Sequence, residues 1–215
     1  VTDALPAAAL GFILQASYRI LGGRAVVHLF GKLDTGQSFL VRDGRLSPYF
    51  WVRAADATAA REAGATLEEE PAERVTLDGE PVVRVLVPRP PDTPALRDRL
   101  HARGIRSYEA DVRFSQRYLI DHAIHGAMEI RGEPVPFREE GDHFPQILVY
   151  DDPHLSPSRF RPELSVLSLD IETDMRGERL LSVALAGCGA AEVLLLNPPG
   201  MHAPEGALPF PAERD

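Results

Sequence analysis

The sequence predicts an α+β protein rich in sheet, and three observations carry that expectation. Residues 11–42 alternate short apolar runs with turns built on Gly and Asp, the pattern of antiparallel strands. Residues 49–110 then switch between strand-like and helix-like periods in the order β-α-β-β-α-β. A last group of strand-like runs begins at Val166 and continues through residues 180–186 and 192–196.

Taken in order, residues 11–17, 24–30 and 37–42 read as an antiparallel meander, with Gly22-Gly23 and Asp34-Thr35-Gly36 as its turns. Lys32 and Asp34 fall at the second turn, the place of a solvated hairpin tip. Residues 49–53 form a strand anchored by Phe50 and Trp51. Residues 54–63 form an alanine-rich helix with Gly64 as its C-cap. Residues 73–77 and 82–87 make a hairpin around Asp78-Gly79. After the Pro-rich 88–91 linker, Asp92-Thr93-Pro94 caps a second helix that runs to Arg103 and stops at Gly104. Residues 105–110 supply the last strand.

That order is the order of a ferredoxin-like unit. Such a sheet serves as a structural module or as an RNA-recognition platform. The platform needs exposed aromatics on its central strands. Residues 73–77 and 82–87 carry none, which favours the structural module.

Ser115 is placed to cap a further helix running to about His125, with Phe114, Tyr118, Leu119 and His122 on its packed face. Glu109, Asp111 and Arg117 form either a buried ion-pair cluster or an exposed set of little consequence. Residues 126–131 read as a strand, and 133–144 as a polar loop or irregular hairpin. Prolines and turn formers in 151–162 mark a junction between two domains, 1–150 and 151–215. Asn197-Pro198-Pro199-Gly200 ends the last strands, and the Pro-, Ala- and acid-rich 201–215 is expected to be poorly ordered.

Composition narrows the function classes. The 215 residues, 44% hydrophobic and 26% charged, suffice for one large domain or for one domain and part of another. No run approaches the roughly 20 apolar residues of a membrane span. Residues 4–14 are apolar but lack the basic leader of a signal peptide. The single Cys188 rules out an intramolecular disulfide, fits the cytoplasm, and is expected to pack within the last meander. A net charge of −9 argues against this chain being a main DNA grip, without excluding an acidic nuclease site. Lys32 is the only lysine among 23 basic residues, a bias attributed to base composition of the gene. His101, His122, His125, His143, His154 and His202 lack partners at metal-ligand spacing. No nucleophile elbow, P-loop or dinucleotide fingerprint occurs.

The chemistry-bearing stretch is Val166-Leu167-Ser168-Leu169-Asp170-Ile171-Glu172-Thr173. In a strand Val166, Ser168, Asp170 and Glu172 share one face, and Leu167, Leu169 and Ile171 point into a core on the other. The two acids then sit roughly 6–7 Å apart at their Cα atoms. Oxygen ligands so placed suit a pair of hard cations. By itself Asp-x-Glu is also common at solvated strand ends. A strand carrying two acids, followed by an up-down meander, is how ribonuclease H-like nuclease domains begin.

Two stretches extend that resemblance. Tyr108-Glu109-Ala110-Asp111-Val112-Arg113, followed by Arg117-Tyr118-Leu119-Ile120-Asp121, resembles the segment before the exonuclease domain in family B DNA polymerases. Leu167 to Thr173 resembles their first exonuclease motif. Leu185-Ala186-Gly187-Cys188-Gly189 and Gly11-Phe12-Ile13-Leu14 are similar to the bacterial DNA polymerase II branch. The resemblance implies a multi-domain polymerase that copies a DNA primer-template from deoxynucleoside triphosphates and removes mispaired 3′ ends with two divalent metals, Mg²⁺ or Mn²⁺. It assigns Asp170 and Glu172 as catalytic metal ligands, with Glu172 also helping to place the water.

The family's later exonuclease motifs, and its palm, fingers and thumb, do not occur in these residues. The expectation is therefore an amino-terminal portion of such an enzyme, inactive alone. Its cut sheet should have an open face, leaving it prone to self-association. Two alternatives stand beside this. One is a non-catalytic nucleic-acid-binding or scaffold module. The other is a small metal-dependent nuclease, whose further acids would come from Glu163, Asp174, Glu178 and Glu192, Asp174 first.

Overall fold

A computed structural model describes residues 8–68, 74–137 and 146–196. It is a mixed α+β structure, rich in sheet and poor in helix. The chain divides into two compact units between Pro162 and Glu163.

The larger unit contains two sheets. The first begins with the expected meander, in longer strands: β1 (Ala8–Leu21), β2 (Arg24–Leu33) and β3 (Ser38–Asp43). Strict alternation on β2 buries Ala25, Val27, Leu29 and Leu33 and turns Arg24, Val26, His28, Phe30 and Lys32 outward. Gly31 lies on the inner face, where Phe12 O and the Phe39 ring occupy the space a side chain would need.

The second sheet comes next: β4 (Tyr49–Arg53), α1 (Ala57–Glu62), β5 (Thr66–Glu68), β6 (Val82–Leu86), α2 (Thr93–His101) and β7 (Ser107–Tyr108). Short 3₁₀ turns, Ala54–Asp56 and Pro90–Asp92, lead into the two helices. Its strand order is β5-β6-β4-β7, antiparallel throughout. Phe50, Val52, Val83 and Val85 face the helices and pack with Ala60, Leu96 and Leu100. Gly64 and Gly104 take positive φ, 84° and 77°, just beyond the helix ends, as their C-terminal positions require.

Three local expectations are corrected here. The partner of β6 is β5, not residues 74–77, which contribute only a bridge between Val75 and Pro81 and a turn at Asp78-Gly79. Leu67 decides this, because it packs on the core of the sheet, whereas Val75 and Leu77 are exposed. Asp92 makes no side-chain cap on α2; its carboxylate pairs with Arg89 instead. Ser115 does not cap α3 (Phe114–Asp121) either: it is buried one residue inside the helix, and Arg113 is the N-cap.

After α3 the chain returns to the first sheet with β8 (Ala127–Arg131), β9 (Val135–Phe137), β10 (Ile147–Asp151) and β11 (His154–Pro157). The finished order is β11-β8-β1-β2-β3-β10-β9. It is not purely antiparallel, because β10 runs parallel to β3. The arginine of Arg42 grips Asp151 at 2.5 and 2.6 Å across that pair. The core below the sheet includes Val27, Leu29, Phe39, Val41, Met128 and Ile130, closed by Phe114 and Tyr118 of α3.

The smaller unit is a three-stranded antiparallel sheet of β12 (Leu167–Thr173), β13 (Leu180–Gly187) and β14 (Ala190–Leu195). Gly187 pairs with Ala190 across a two-residue turn of Cys188 and Gly189, both at positive φ, which matches the twist of a tight hairpin. Cys188 is thus exposed, not packed. Among the described residues no helix is long and apolar enough to cross a membrane. Residues 138–144 of the polar stretch, all of 201–215, and His143 and His202 lie outside the described residues.

Candidate nuclease strand and aromatic sheet face

Asp170 and Glu172 both lie on β12. Register fixes what surrounds them. Asp170 stands opposite Ala184 and Glu172 opposite Ser182, and the next strand adds Val193 and Leu195 in the same rows. Directly paired residues share a face, so both carboxylates project over small neighbours and are open to solvent. Asp170 Oδ1 accepts one backbone hydrogen bond, from Ile171 N at 3.0 Å. Among the described residues no three His, Cys, Asp or Glu groups converge as a metal cage.

The other acids near this strand have different roles. A register shift between Glu172 and Thr173 breaks the alternation before Asp174 is reached. Asp174 Oδ1 accepts the backbone N–H groups of Glu178 and Arg179 at 2.9 and 3.4 Å, closing the β12–β13 turn. Glu192 pairs with Leu185 and so lies on the opposite face. These placements weaken the small self-sufficient nuclease.

The apolar side of β12 departs from expectation. Leu167, Leu169 and Ile171 are 50%, 61% and 53% exposed, not buried in a core. The alternation was legible; the packing was not, because the described part of this unit offers only three strands and no covering layer.

The second feature is the face of the four-stranded sheet opposite α1 and α2, which α3 meets through Arg117 and Asp121. Here β4 and β6 are the central strands, and β4 carries the aromatics that residues 73–77 and 82–87 lack. Arg84, Trp51 and Tyr108 form one row across three strands, with Tyr49 beside it. These rings are not a free stacking platform. Tyr49 and Trp51 are 8% and 6% exposed. The Tyr49 ring has Arg84 at 4.3 Å and Arg117 at 5.0 Å from its centroid. Its hydroxyl donates to Asp121 at 2.8 Å. Burial first, and then that bond, pushes the Tyr49 phenol up to about 12.

Arg117 is buried and donates to Glu109 Oε2 at 2.6 Å, while Asp111 stays exposed outside the pair. Glu109 itself sits at φ 59°, a strained position for a residue with a Cβ. A third cluster was not foreseen. Tyr118 donates to the buried Asp43 at 2.6 Å, and Asp43 also accepts from Arg45 N at 2.9 Å and from the Arg45 guanidinium. Burial pulls the Asp43 carboxyl upward, but the bonds from Arg45 and Tyr118 outweigh it and hold the group below its ordinary value.

Sequence and fold comparisons agree on the class of protein. Residues 105–184, a span running from the approach to β7 into β13, match the family model described as DNA polymerase family B, exonuclease domain. In fold, the chain is similar over 87% of its length to the family B DNA polymerase from the archaeon Pyrobaculum calidifontis, with a TM-score of 0.63 and 26% identity, and it covers 27% of that chain. This chain therefore resembles family B DNA polymerases in sequence and in structure.

Particular relatives are both archaeal and bacterial. A stretch of 101 residues is 38% identical to DNA polymerase II of Escherichia coli, covering 46% of this chain and 11% of that protein. Another, of 135 residues, is 36% identical to a DNA polymerase of Archaeoglobus fulgidus, covering 57% and 17%. The chain thus spans a minor fraction of the length of the relatives it matches.

Proposed function

We propose that this chain is the amino-terminal region of a DNA-directed DNA polymerase that also proofreads by 3′–5′ exonuclease action, in replication or repair in the cytoplasm. Residues 1–150 would form its amino-terminal domain and residues 151–215 would open a ribonuclease H-like exonuclease domain, although residues 151–162 fall in the larger unit, where β11 pairs with β8. The order β5-β6-β4-β7 with α1 and α2 on one face supports the ferredoxin-like reading of the amino-terminal domain. One observation carries the functional reading. The paired acids Asp170 and Glu172 share one open face of β12, inside the span that matches the exonuclease family model.

The donor set fits a divalent cation such as Mg²⁺ or Mn²⁺: two hard oxygen groups on one strand face, with Ala184 and Ser182 opposite leaving space above them. Bound there, the metal would supply activation of water and stabilisation of the leaving 3′ oxygen at a DNA terminus. Asp170 and Glu172 would hold it, and Glu172 would also orient the water. Two carboxylates cannot by themselves fix two metals. The chain alone is therefore expected to trim no DNA.

Primer-template and deoxynucleoside triphosphates are the partners of the whole enzyme in this reading. The exposed row of Leu167, Leu169 and Ile171 gives the isolated chain a route to self-association. Light scattering that shows a clean monomer at high concentration would remove that last point.

The test uses 3′-labelled single-stranded DNA with Mn²⁺. The chain alone should leave it intact. In the full-length polymerase that this reading requires, Asp170→Ala should abolish trimming while sparing primer extension. Metal-dependent trimming by the 215-residue chain, lost in Asp170→Ala, would overturn the inactivity. Undiminished trimming by the full-length variant would overturn the assignment of the site.

A further inference from the structure

The open face of β12 carries one group that the assignment of Asp170 and Glu172 leaves without a role. Across the three strands the rows on this face run Asp170-Ala184-Val193 and Glu172-Ser182-Leu195. Ser182 is half-buried on β13. It supplies the only side-chain hydrogen-bond donor in either row; the other neighbours of the two acids are apolar.

The two acids make different demands. Asp170 is short, and Ile171 N donates to its Oδ1 at 3.0 Å, so its own strand orients the carboxylate. Ala184 opposite it need add nothing but a methyl group. Glu172 has one more rotatable bond, and a side chain of that length gives up rotamer freedom when it is fixed. Beyond it the register shifts, Asp174 turns its Oδ1 to the backbone of Glu178 and Arg179, and the Thr173 hydroxyl donates to Asp174 O. Among the described residues Glu172 makes no side-chain hydrogen bond, so a change of rotamer can bring its carboxylate to a new donor.

That donor stands directly opposite. Opposed residues on one face have Cβ atoms about 4.5–5.5 Å apart. From there a serine hydroxyl, free to rotate, reaches a glutamate carboxylate. We propose that Ser182 is a positioning residue for Glu172: its hydroxyl donates to one carboxylate oxygen and holds the group beside Asp170, leaving the second oxygen free to act. This rests on the reading of Asp170 and Glu172 as the nuclease pair. Ser182 touches neither metal nor DNA in this role. A small side chain suits the place, because a long one would fill the space above the acids.

The test uses the full-length polymerase that the reading requires, with 3′-labelled single-stranded DNA and Mn²⁺. Ser182→Ala should lower kcat for trimming about tenfold, the scale of a small misplacement at a reacting centre, with KM little changed. Ser182→Thr, which keeps the hydroxyl, should restore most of the rate. Primer extension should be equal in all three proteins, which reports that each is folded. A second readout needs no activity. In the 215-residue chain, ¹³C relaxation should show the Glu172 side chain more mobile in Ser182→Ala than in wild type or Ser182→Thr. Trimming by Ser182→Ala within about twofold of wild type, a Ser182→Thr variant as impaired as Ser182→Ala, or equal Glu172 mobility in wild type and Ser182→Ala would each overturn the proposal. Asp170→Ala separates the two ways of failing. If it abolishes trimming and Ser182→Ala does not weaken it, the site stands and Ser182 has no part in it; if it leaves trimming intact, the site falls and the proposal with it.

Discussion

Replacing Tyr118 by Phe isolates one buried hydrogen bond. Tyr118 is 0% and Asp43 1% exposed. The hydroxyl donates to Asp43 Oδ2 at 2.6 Å. Phe keeps the ring, which stacks on His122 with centroids 4.1 Å apart, and deletes only the donor. A hydrogen bond to an ionised group contributes roughly 1.5–3 kcal/mol. For a unit of this size that corresponds to a fall in Tm of about 3–12 °C. Thermal and urea unfolding followed by circular dichroism measure it, with the urea slope unchanged. In an Asp43→Ala background the same substitution should cost under ~0.5 kcal/mol, because its partner is gone. The pH dependence has a definite sign. Asp43 has a folded pKa below its unfolded one, so its stabilisation is complete above the ordinary carboxylate value near ~4. That stabilisation is lost as pH falls through the depressed value. The Tm gap between wild type and Tyr118→Phe should therefore be full at pH 7 and shrink in strong acid. A gap that persists unchanged once the pH is below the depressed folded value, where the carboxylate is protonated in both proteins, would refute the reasoning.

Two further outcomes are expected. Gly31→Ala should destabilise the larger unit by at least the upper part of the ~1–3 kcal/mol range for overpacking. Its new Cβ would meet Phe12 O, which is backbone, and the Phe39 ring at 2.8 Å; a variant melting within 1–2 °C of wild type, roughly the reading error of such a scan, would contradict this. Tyr49, raised to about 12 by burial and then by Asp121, contributes stability that is present below the ordinary phenol value near ~10 and lost as pH rises through 12. Absorbance at alkaline pH should show Tyr49 ionising late. A single transition near ~10 for all five tyrosines would be the contrary result.

How much of this was legible in the sequence depends on the range of the interactions involved. The meander was, because each of its pairings joins consecutive strands across a short turn. So was the β-α-β-β-α-β order, since helix and strand periods are local. The choice of β5 over residues 73–77 was not, because three residues with one packed Leu67 leave a weaker pattern than an alternating run beside Asp-Gly. The parallel pairing of β10 with β3 was invisible for the same reason: no local signal ties Asp151 to Arg42, 109 positions away. At the candidate site, alternation correctly put Asp170 and Glu172 on one face. It could not tell that the leucines behind them lie open, because exposure depends on what other chain segments cover. The aromatic row was missed because Trp51 was read as an anchor, with no means of knowing that its strand is central.

The strand order of the large sheet also dictates when it can be finished. β1 and β3 are the outer members of the opening meander, and their partners β8 and β10 lie beyond residue 126. While the chain emerges from the ribosome, amino end first, the intervening small sheet is made before either partner exists. Both flanks of the meander therefore stay unzipped until residues 127–151 have been made, each offering a bare row of N–H and C=O groups to any passing strand. A nascent chain stalled before β8 would be a sticky one, and guarding those flanks is a task for the cell's chaperones until the last strands arrive.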